Sequence, residues 1–518
     1  MMARSKGASV ATTALNVFKV YTGTGLIAFP YATRCGGLCA APLGLVLIGF
    51  LNNYSIRILV DCKRRVAASS TGAGVITFTD VAARALGPVG RKVCAASVVV
   101  SLLGICIAYL IFIGETVQSA VGLSAEECHA DGDARKEHWS CAMVPRFGSV
   151  VVNMWVLIAC PCCCLLSMLR SMASLSWTSL AGNLALISVI IVSLVYAGRR
   201  IHTHGGAGTA SDNAWPYEHV PLFNASTFPV FFGLTVFAFA IQSVILSMED
   251  AAGPRAKERF LRICDVAGVG AVICYSVFGV VCYAAYGEHT HAIVLLSLPD
   301  TGIVAAVKLA VSLAILFTFP IQMMPVIEMS ERYLQKRRAK SNNVDGHFFA
   351  GEGAGEVLLG SVADSDLAAI PYRRPTELGD NIEDAVGGDN SDVGGGNGGD
   401  VGLFSWRVRV SLVLACVVAA LLFGEVFSQV LGLVGSLGLS LVSFVLPPLC
   451  FTKLSGGFAK LSPTDRVGVA VVLVVGAAGI IASAVVEVGQ LVAYFEGRED
   501  ECAVAQPSTK KLVPDGSV

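Results

Sequence analysis

The chain has 518 residues, of which 54% are hydrophobic and only 14% charged, a balance that excludes an ordinary soluble globular domain. Its 37 Lys and Arg offset 38 Asp and Glu to leave a formal net charge of -1, which argues for neither nucleic acid nor a strongly charged partner. A membrane-spanning helix needs about 20 largely apolar residues, and eleven such segments predict an all-α polytopic membrane protein.

The spans are expected at 11–33, 38–61, 93–118, 149–169, 176–198, 227–248, 263–286, 301–325, 406–425, 428–451 and 465–493. The first, NVFKVYTGTGLIAFPYATR from Asn16 to Arg34, carries its own interruption. Gly23 and Gly25 flank Thr24 halfway along, with Pro30 downstream, and each glycine costs a helix about 1 kcal/mol relative to alanine. Unwinding at that depth leaves N–H and C=O groups that lipid cannot satisfy, so the stretch is a candidate binding site. The competing reading is that both glycines serve close helix packing. No cleavable signal peptide is expected, since the first apolar run holds Lys19 and leads directly into the glycine break.

Orientation follows from Lys and Arg. With residues 1–10 in the cytosol, the clusters Lys63 to Arg65, Arg84 to Lys92, Arg255 to Arg262, Lys336 to Lys340 and Lys453 to Arg466 share that side, as the positive-inside rule requires. Between the second and third spans, FTDVAARALGPVGRK has helical spacing and is expected along the membrane surface. Spans one to eight then occupy 11–334. Residues 335–402 change composition sharply, ending in DNSDVGGGNGGD, and bury too little apolar surface to offset their ordering entropy, so a disordered cytosolic loop is expected there. Spans nine to eleven fill 403–493 and leave 494–518 as a non-cytosolic tail.

Of the 17 cysteines, most lie inside spans, and the CPCCC run at 160–164 has no histidine or carboxylate near it, which favours packing over a metal site. Cys128 and Cys141 share the longest external loop and are the disulfide candidate. Neither a cofactor nor a metal is expected.

Charges within spans are costly, about 2.5 to 3.5 kcal/mol for a central Lys on the translocon scale. Lys19 lies one turn from the glycine break and is a coupling candidate, whereas Lys308 sits on the outer part of its span and is expected to reach the headgroups. Among acids, Glu115 closes the third span, Glu249 the sixth, Glu328 the eighth and Glu425 the ninth, while Glu487 lies in the eleventh; Glu115 and Glu249 are the coupling candidates. An acid at a span end is more often solvated or ion-paired. No phosphate loop, metal spacing or paired-acid motif occurs within a span, so transport is favoured over enzymatic chemistry. The sixth span, FPVFFGLTVFAFAIQSVILSMED, reads as a second discontinuous helix, and pairing it with the first gives a five-plus-five inverted repeat with one accessory helix.

In order along the chain, NVFKVYTGTGLIAFPYA, LRSMASLSWTSLAGN, FFGLTVFAFA with Glu249, VKLAVSLAILFTFPIQMMPVIE and VGSLGLSLVSFVLPPL resemble the amino acid/auxin permease family, within its proton-coupled and vacuolar amino acid transporter branch. The resemblance covers nearly all spans and implies a leucine-transporter-like fold working by alternating access. It implies that the backbone of Thr22, Gly23, Thr24 and Gly25 receives a substrate carboxylate, and that Phe237, Phe239 and Ala240 hold the ammonium and side chain. Two positions depart from the branch. Ala240 and Ile241 follow FAF where relatives carry Glu then Gly, and Tyr54 stands where animal members place a proton-handling histidine. The expected activity is secondary active transport of small or neutral amino acids, coupled to protons; sodium coupling, or a membrane sensor without net flux, are the alternatives. The partners implied are the amino acid, the co-transported ion and the lipid of a plasma, vacuolar or lysosomal membrane.

Overall fold

In hydrocarbon every backbone N–H and C=O must be satisfied within its own segment, and the apolar runs of this chain accordingly become helices. The computed structural model describes residues 8–69, 76–121, 148–168, 176–205, 221–299, 301–349, 398–424 and 426–495. Among them every regular element is helical, the exception being an isolated bridge between Ala8 and Ala252. Eight helical stretches of these residues are long and apolar enough to cross a membrane.

Helices α1 (Val10–Tyr21) and α2 (Gly25–Gly36) are two halves of one interrupted rod, followed by α3 (Ala40–Ser69). The next helix, α4 (Phe78–Ala120), starts with a capping box in which Thr77 and Asp80 satisfy each other's N–H groups. It bends at Gly87, whose φ of 71° and ψ of -161° suit glycine, just before Pro88. The surface segment expected from FTDVAARALGPVGRK is thus the first arm of α4. Then come α5 (Gly148–Ser167) and α6 (Ser176–Gly205).

A second interrupted rod pairs α7 (Phe228–Phe239) with α8 (Gln242–Ala251), and the short α9 (Pro254–Glu258) leads into α10 (Phe260–Tyr286). Helix α11 (Gly302–Phe349) runs on into the stretch read from composition as the loop 335–402, and α12 (Gly398–Leu422) opens inside its other end. The last rods are α13 (Phe427–Leu433), continued through π-helical turns at Val434–Leu439 and Leu441–Val445 into α14 (Leu446–Leu454), and α15 (Pro463–Phe495).

The interrupted rods occupy the centre. Helix α2 packs on α7 and α10, α1 on α10, and α15 on α7 and α13, while α4 and α11 form the most extensive pair. That last pairing corrects the expectation for Lys308. Rather than snorkelling to headgroups it is buried, with 1% of its surface exposed, and its Nζ donates to Ser119 Oγ of α4 at 2.7 Å.

At the end of the bundle where α1 begins, α3 and α8 are held together by ions. Lys63 Nζ lies 3.3 Å from Glu249 and 2.7 Å from Asp250 and also donates to the Leu246 carbonyl at 2.8 Å. Arg64 adds a 3.0 Å contact to Glu249 from a more exposed position. Removing the inner cation takes the partner from Asp250 and leaves the buried Glu249 with only the more exposed Arg64, whereas removing the outer one leaves Glu249 paired with the buried Lys63. Lys63→Met is therefore expected to cost about 3 to 5 kcal/mol of stability, against about 1 kcal/mol or less for Arg64→Ala; thermal unfolding of the two variants in detergent checks the ranking.

Candidate functional site

Each central rod breaks without glycine-specific dihedrals, by simple loss of the i to i-4 ladder. Helix α1 ends when the Thr22 N–H bonds Phe18 O at 2.9 Å, and α2 starts with the Leu26 and Ile27 N–H groups bonding the Gly23 and Thr24 carbonyls at 3.1 Å each. Among the described residues, the N–H groups of Gly23, Thr24 and Gly25 thus meet no main-chain acceptor. They lie at the N-terminus of α2, where the helix dipole is positive and favours an anion. In the other rod, Ala240 N–H closes α7 on Val236 O at 2.9 Å and the ladder resumes from Ile241. The carbonyls of Phe237, Ala238 and Phe239 are left at the C-terminal, negative end of α7, where a cation is favoured.

The two breaks touch. A Cβ on Gly25 would stand 2.8 Å from Ala238 Cα, so only glycine lets α2 approach α7 this closely. At Gly23 the same atom meets nothing nearer than the Val20 carbonyl of its own turn, at 3.7 Å. The two glycines do different work: Gly25 is the packing residue and Gly23 borders open space.

Polar side chains pin the breaks. Tyr275 Oη of α10 donates to the Tyr21 carbonyl at 2.9 Å and so caps α1. The Tyr21 hydroxyl donates to Asn53 at 3.1 Å and accepts from Asn52 at 3.3 Å; Gln242 Nε2 donates to Asn52 at 2.6 Å, and Ser443 Oγ donates to Gln242 Oε1 at 2.8 Å. One buried chain of hydrogen bonds thereby joins α1, α3, α8 and the π-helical turns before α14. From α4, Tyr109 lies within hydrogen-bonding reach of Thr24 and of Gln322 on α11.

The expected substrate residues divide in the same way. Thr22, Gly23, Thr24, Phe237 and Ala240 are partly exposed around the breaks. Phe239 is 1% exposed, its ring 5.5 Å from that of Tyr21 and 5.2 Å from that of Tyr275, so it supports the break from behind. Of the coupling candidates, Lys19 projects from the exposed face of α1, Glu115 is half-buried on α4 one turn from Ser119, and Glu249 is locked between Lys63 and Arg64. Cys128 and Cys141 lie outside the described residues.

Two features were missed from sequence. At the far end, Arg34 of α2 bonds Glu288 at 3.1 Å and the Thr290 carbonyl at 3.3 Å, closing the side opposite Lys63. His291 sits beside them in the connection after α10; burial first, then the positive charges of Arg34, His289 and Lys308, push its pKa below the ordinary value, so it stays neutral at near-neutral pH. The second is Glu487 of α15, fully buried, which accepts hydrogen bonds from Ser436 at 2.8 Å and Ser483 at 2.9 Å. The sequence signal was present in both cases, a lone charge in an apolar run, but not the neighbours that give it meaning.

A family model described as transmembrane amino acid transporter protein matches residues 6–486. The chain is similar to Amino acid transporter ANT1 of Arabidopsis thaliana, 25% identical over 62% of this chain and 67% of that protein. It is 26% identical to Amino acid transporter AVT3A of Arabidopsis thaliana, over 62% of this chain and 68% of the relative. Vacuolar amino acid transporter 3 of Schizosaccharomyces pombe is 26% identical over 65% of this chain, a match spanning less than half, 45%, of that longer relative.

The unequal roles of the two glycines are open to test. Gly25→Ala must displace the Ala238 backbone and is expected to lower stability by roughly 1 to 3 kcal/mol, while Gly23→Ala leaves thermal unfolding in detergent unchanged.

Proposed function

The chain belongs to the transmembrane amino acid transporter family, and from that premise we propose that it is a secondary active transporter of small, neutral amino acids, driven by protons, with the two breaks as its substrate site. The observation that carries the reading is the opposition of charge at the breaks. N–H groups without a main-chain acceptor at the N-terminus of α2 lie next to the end of α7, where Gly25 packs on Ala238 and the last carbonyls of α7 are left over, and this is the polarity of an amino acid's carboxylate and ammonium.

Selectivity for neutral side chains follows from composition. Residues 22–25 and 237–242 carry no ionisable side chain, so a charged substrate side chain would find no counter-ion between the breaks. The open space at Gly23 sets the size limit.

Alternating access is supported by the ion pairs that close both ends. Lys63 with Glu249 and Asp250 seals one side and Arg34 with Glu288 the other, and transport requires them to part in turn. We place the Lys63 end in the cytosol on the charge bias of the loops. Eleven spans with a five-plus-five inverted repeat, in which α1–α2 corresponds to α7–α8 and α15 is accessory, fit the two interrupted rods. The relative from Schizosaccharomyces pombe is named a vacuolar amino acid transporter, and a vacuolar membrane is the location we favour.

Uptake of a radiolabelled amino acid panel into proteoliposomes tests the reading. Alanine-sized neutral substrates are expected to accumulate when the side carrying Arg34 is made acidic, without sodium. Gly23→Leu is expected to abolish that uptake while leaving the folded protein's elution from gel filtration unchanged. Normal uptake by Gly23→Leu would exclude the assigned site, and accumulation driven by sodium alone would exclude proton coupling.

A further inference from the structure

A proton-driven carrier needs a group that binds the proton, and the positions where relatives use such groups hold Ala240 and Tyr54 here. The structure offers a different one. Glu487 is 0% exposed within α15, and among the described residues its carboxyl oxygens accept hydrogen bonds from the hydroxyls of Ser436 and Ser483. Two glycines make its seat. A Cβ on Gly233 of α7 would stand 2.5 Å from Glu487 Oε1, and a Cβ on Gly432 of α13 would overlap the same atom. The carboxyl is therefore wedged where three helices meet, one of them the rod that forms the substrate break.

We propose that the Glu487 carboxyl, seated between Gly233 and Gly432, is the site that binds and releases the co-transported proton. The assignment rests on the proton-coupled reading above and goes beyond it in naming the group. It lies one residue past the stretch matched by the family model.

The groups facing it decide which charge state each conformation holds. Gly233 comes from α7, Gly432 from α13, Ser436 from the π-helical turn, and Ser483 from α15 itself; the thiol of Cys35 on α2 is the titratable group in electrostatic range. Among the described residues no cation is paired with it. An ionised carboxylate with two hydroxyl donors and no counter-ion is costly in a dry site, so the packed arrangement holds the acid neutral. Losing the proton requires water, and water requires α7 to separate from α13 and α15. A conformational equilibrium of α7 is thereby linked to proton occupancy.

The link to substrate is short. Gly233 lies one turn before Phe237, and Gly435 packs on the backbone of both residues, so a shift of α7 away from Glu487 moves the carbonyls at the break. The seat also lies in the half of the bundle that holds Arg34, which we assign to the acidic side, from which protons would enter.

The test uses the full chain in proteoliposomes with radiolabelled alanine. Glu487→Gln keeps the shape and can still hydrogen bond but cannot titrate. We expect it to exchange internal for external alanine at matched pH at near wild-type rates, while acid-driven accumulation falls to the equilibrium ratio of about 1. Wild-type accumulation by Glu487→Gln, in a system where the native protein is proton-driven, overturns the assignment and leaves the coupling reading standing. Absence of proton-driven accumulation in the native protein overturns both. Should Glu487→Gln fail to fold, the double variant Ser436→Ala, Ser483→Ala retains the acid but strips the donors that favour its anion. Its proton-driven uptake is expected to persist with the pH profile displaced toward alkaline pH, by about one unit; an unmoved profile overturns the proposal.

Discussion

The constraint on which the structure depends is that backbone freed inside a membrane must bond to something other than lipid. Two central rods violate the ladder at Thr22 to Gly25 and at Ala240 to Ile241, and the surrounding helices are arranged around satisfying part of that deficit and leaving part exposed. Tyr275 takes up the Tyr21 carbonyl, and the Tyr21, Asn52, Gln242 and Ser443 chain fixes the distance between the rods. What stays unsatisfied is concentrated at one helix start and one helix end. Helix ends of opposite dipole sign then lie close together, and the proposed amino acid site rests on that polarity.

Rigid support behind the breaks makes this arrangement useful rather than merely costly. Phe239 wedged against Tyr21 and Tyr275, and Gly25 against Ala238, hold the two breaks side by side. At the two ends of the bundle the contacts between helices are ionic. On the alternating-access reading proposed above, the pairs of Lys63 and Arg34 are the closures that must part, and both lie at the ends of the bundle rather than at the breaks.

The first break was legible in the sequence because its glycines advertise it; the second was placed by analogy with the first, since FAFAIQ contains no residue that forbids a helix. Family membership and the helical class were likewise legible, through motif order and apolar run length. Side-chain partners were not. Lys308 looked like a headgroup anchor by its position near a span end, yet Ser119 on a helix nearly two hundred residues earlier draws it inward. Glu249 closes its span in the sequence, but its partners Lys63 and Arg64 on α3 could not be read from that position. Local pattern reports burial on one helix; it does not report which other helix supplies the counter-charge.

Glu487 shows the same limit from the other side, and it explains why an accessory helix would be retained. Helix α15 belongs to neither half of the proposed repeat, and it contributes no group to either break. Its role follows from where its acid sits, against Gly233, at the back of the rod whose front forms the break. A proton placed behind a moving helix acts on the equilibrium of that helix and need not touch the substrate. On the proposed reading, coupling of this kind makes its demand on the rod that Glu487 backs and not on the residues at the break, where Ala240 carries no titratable group.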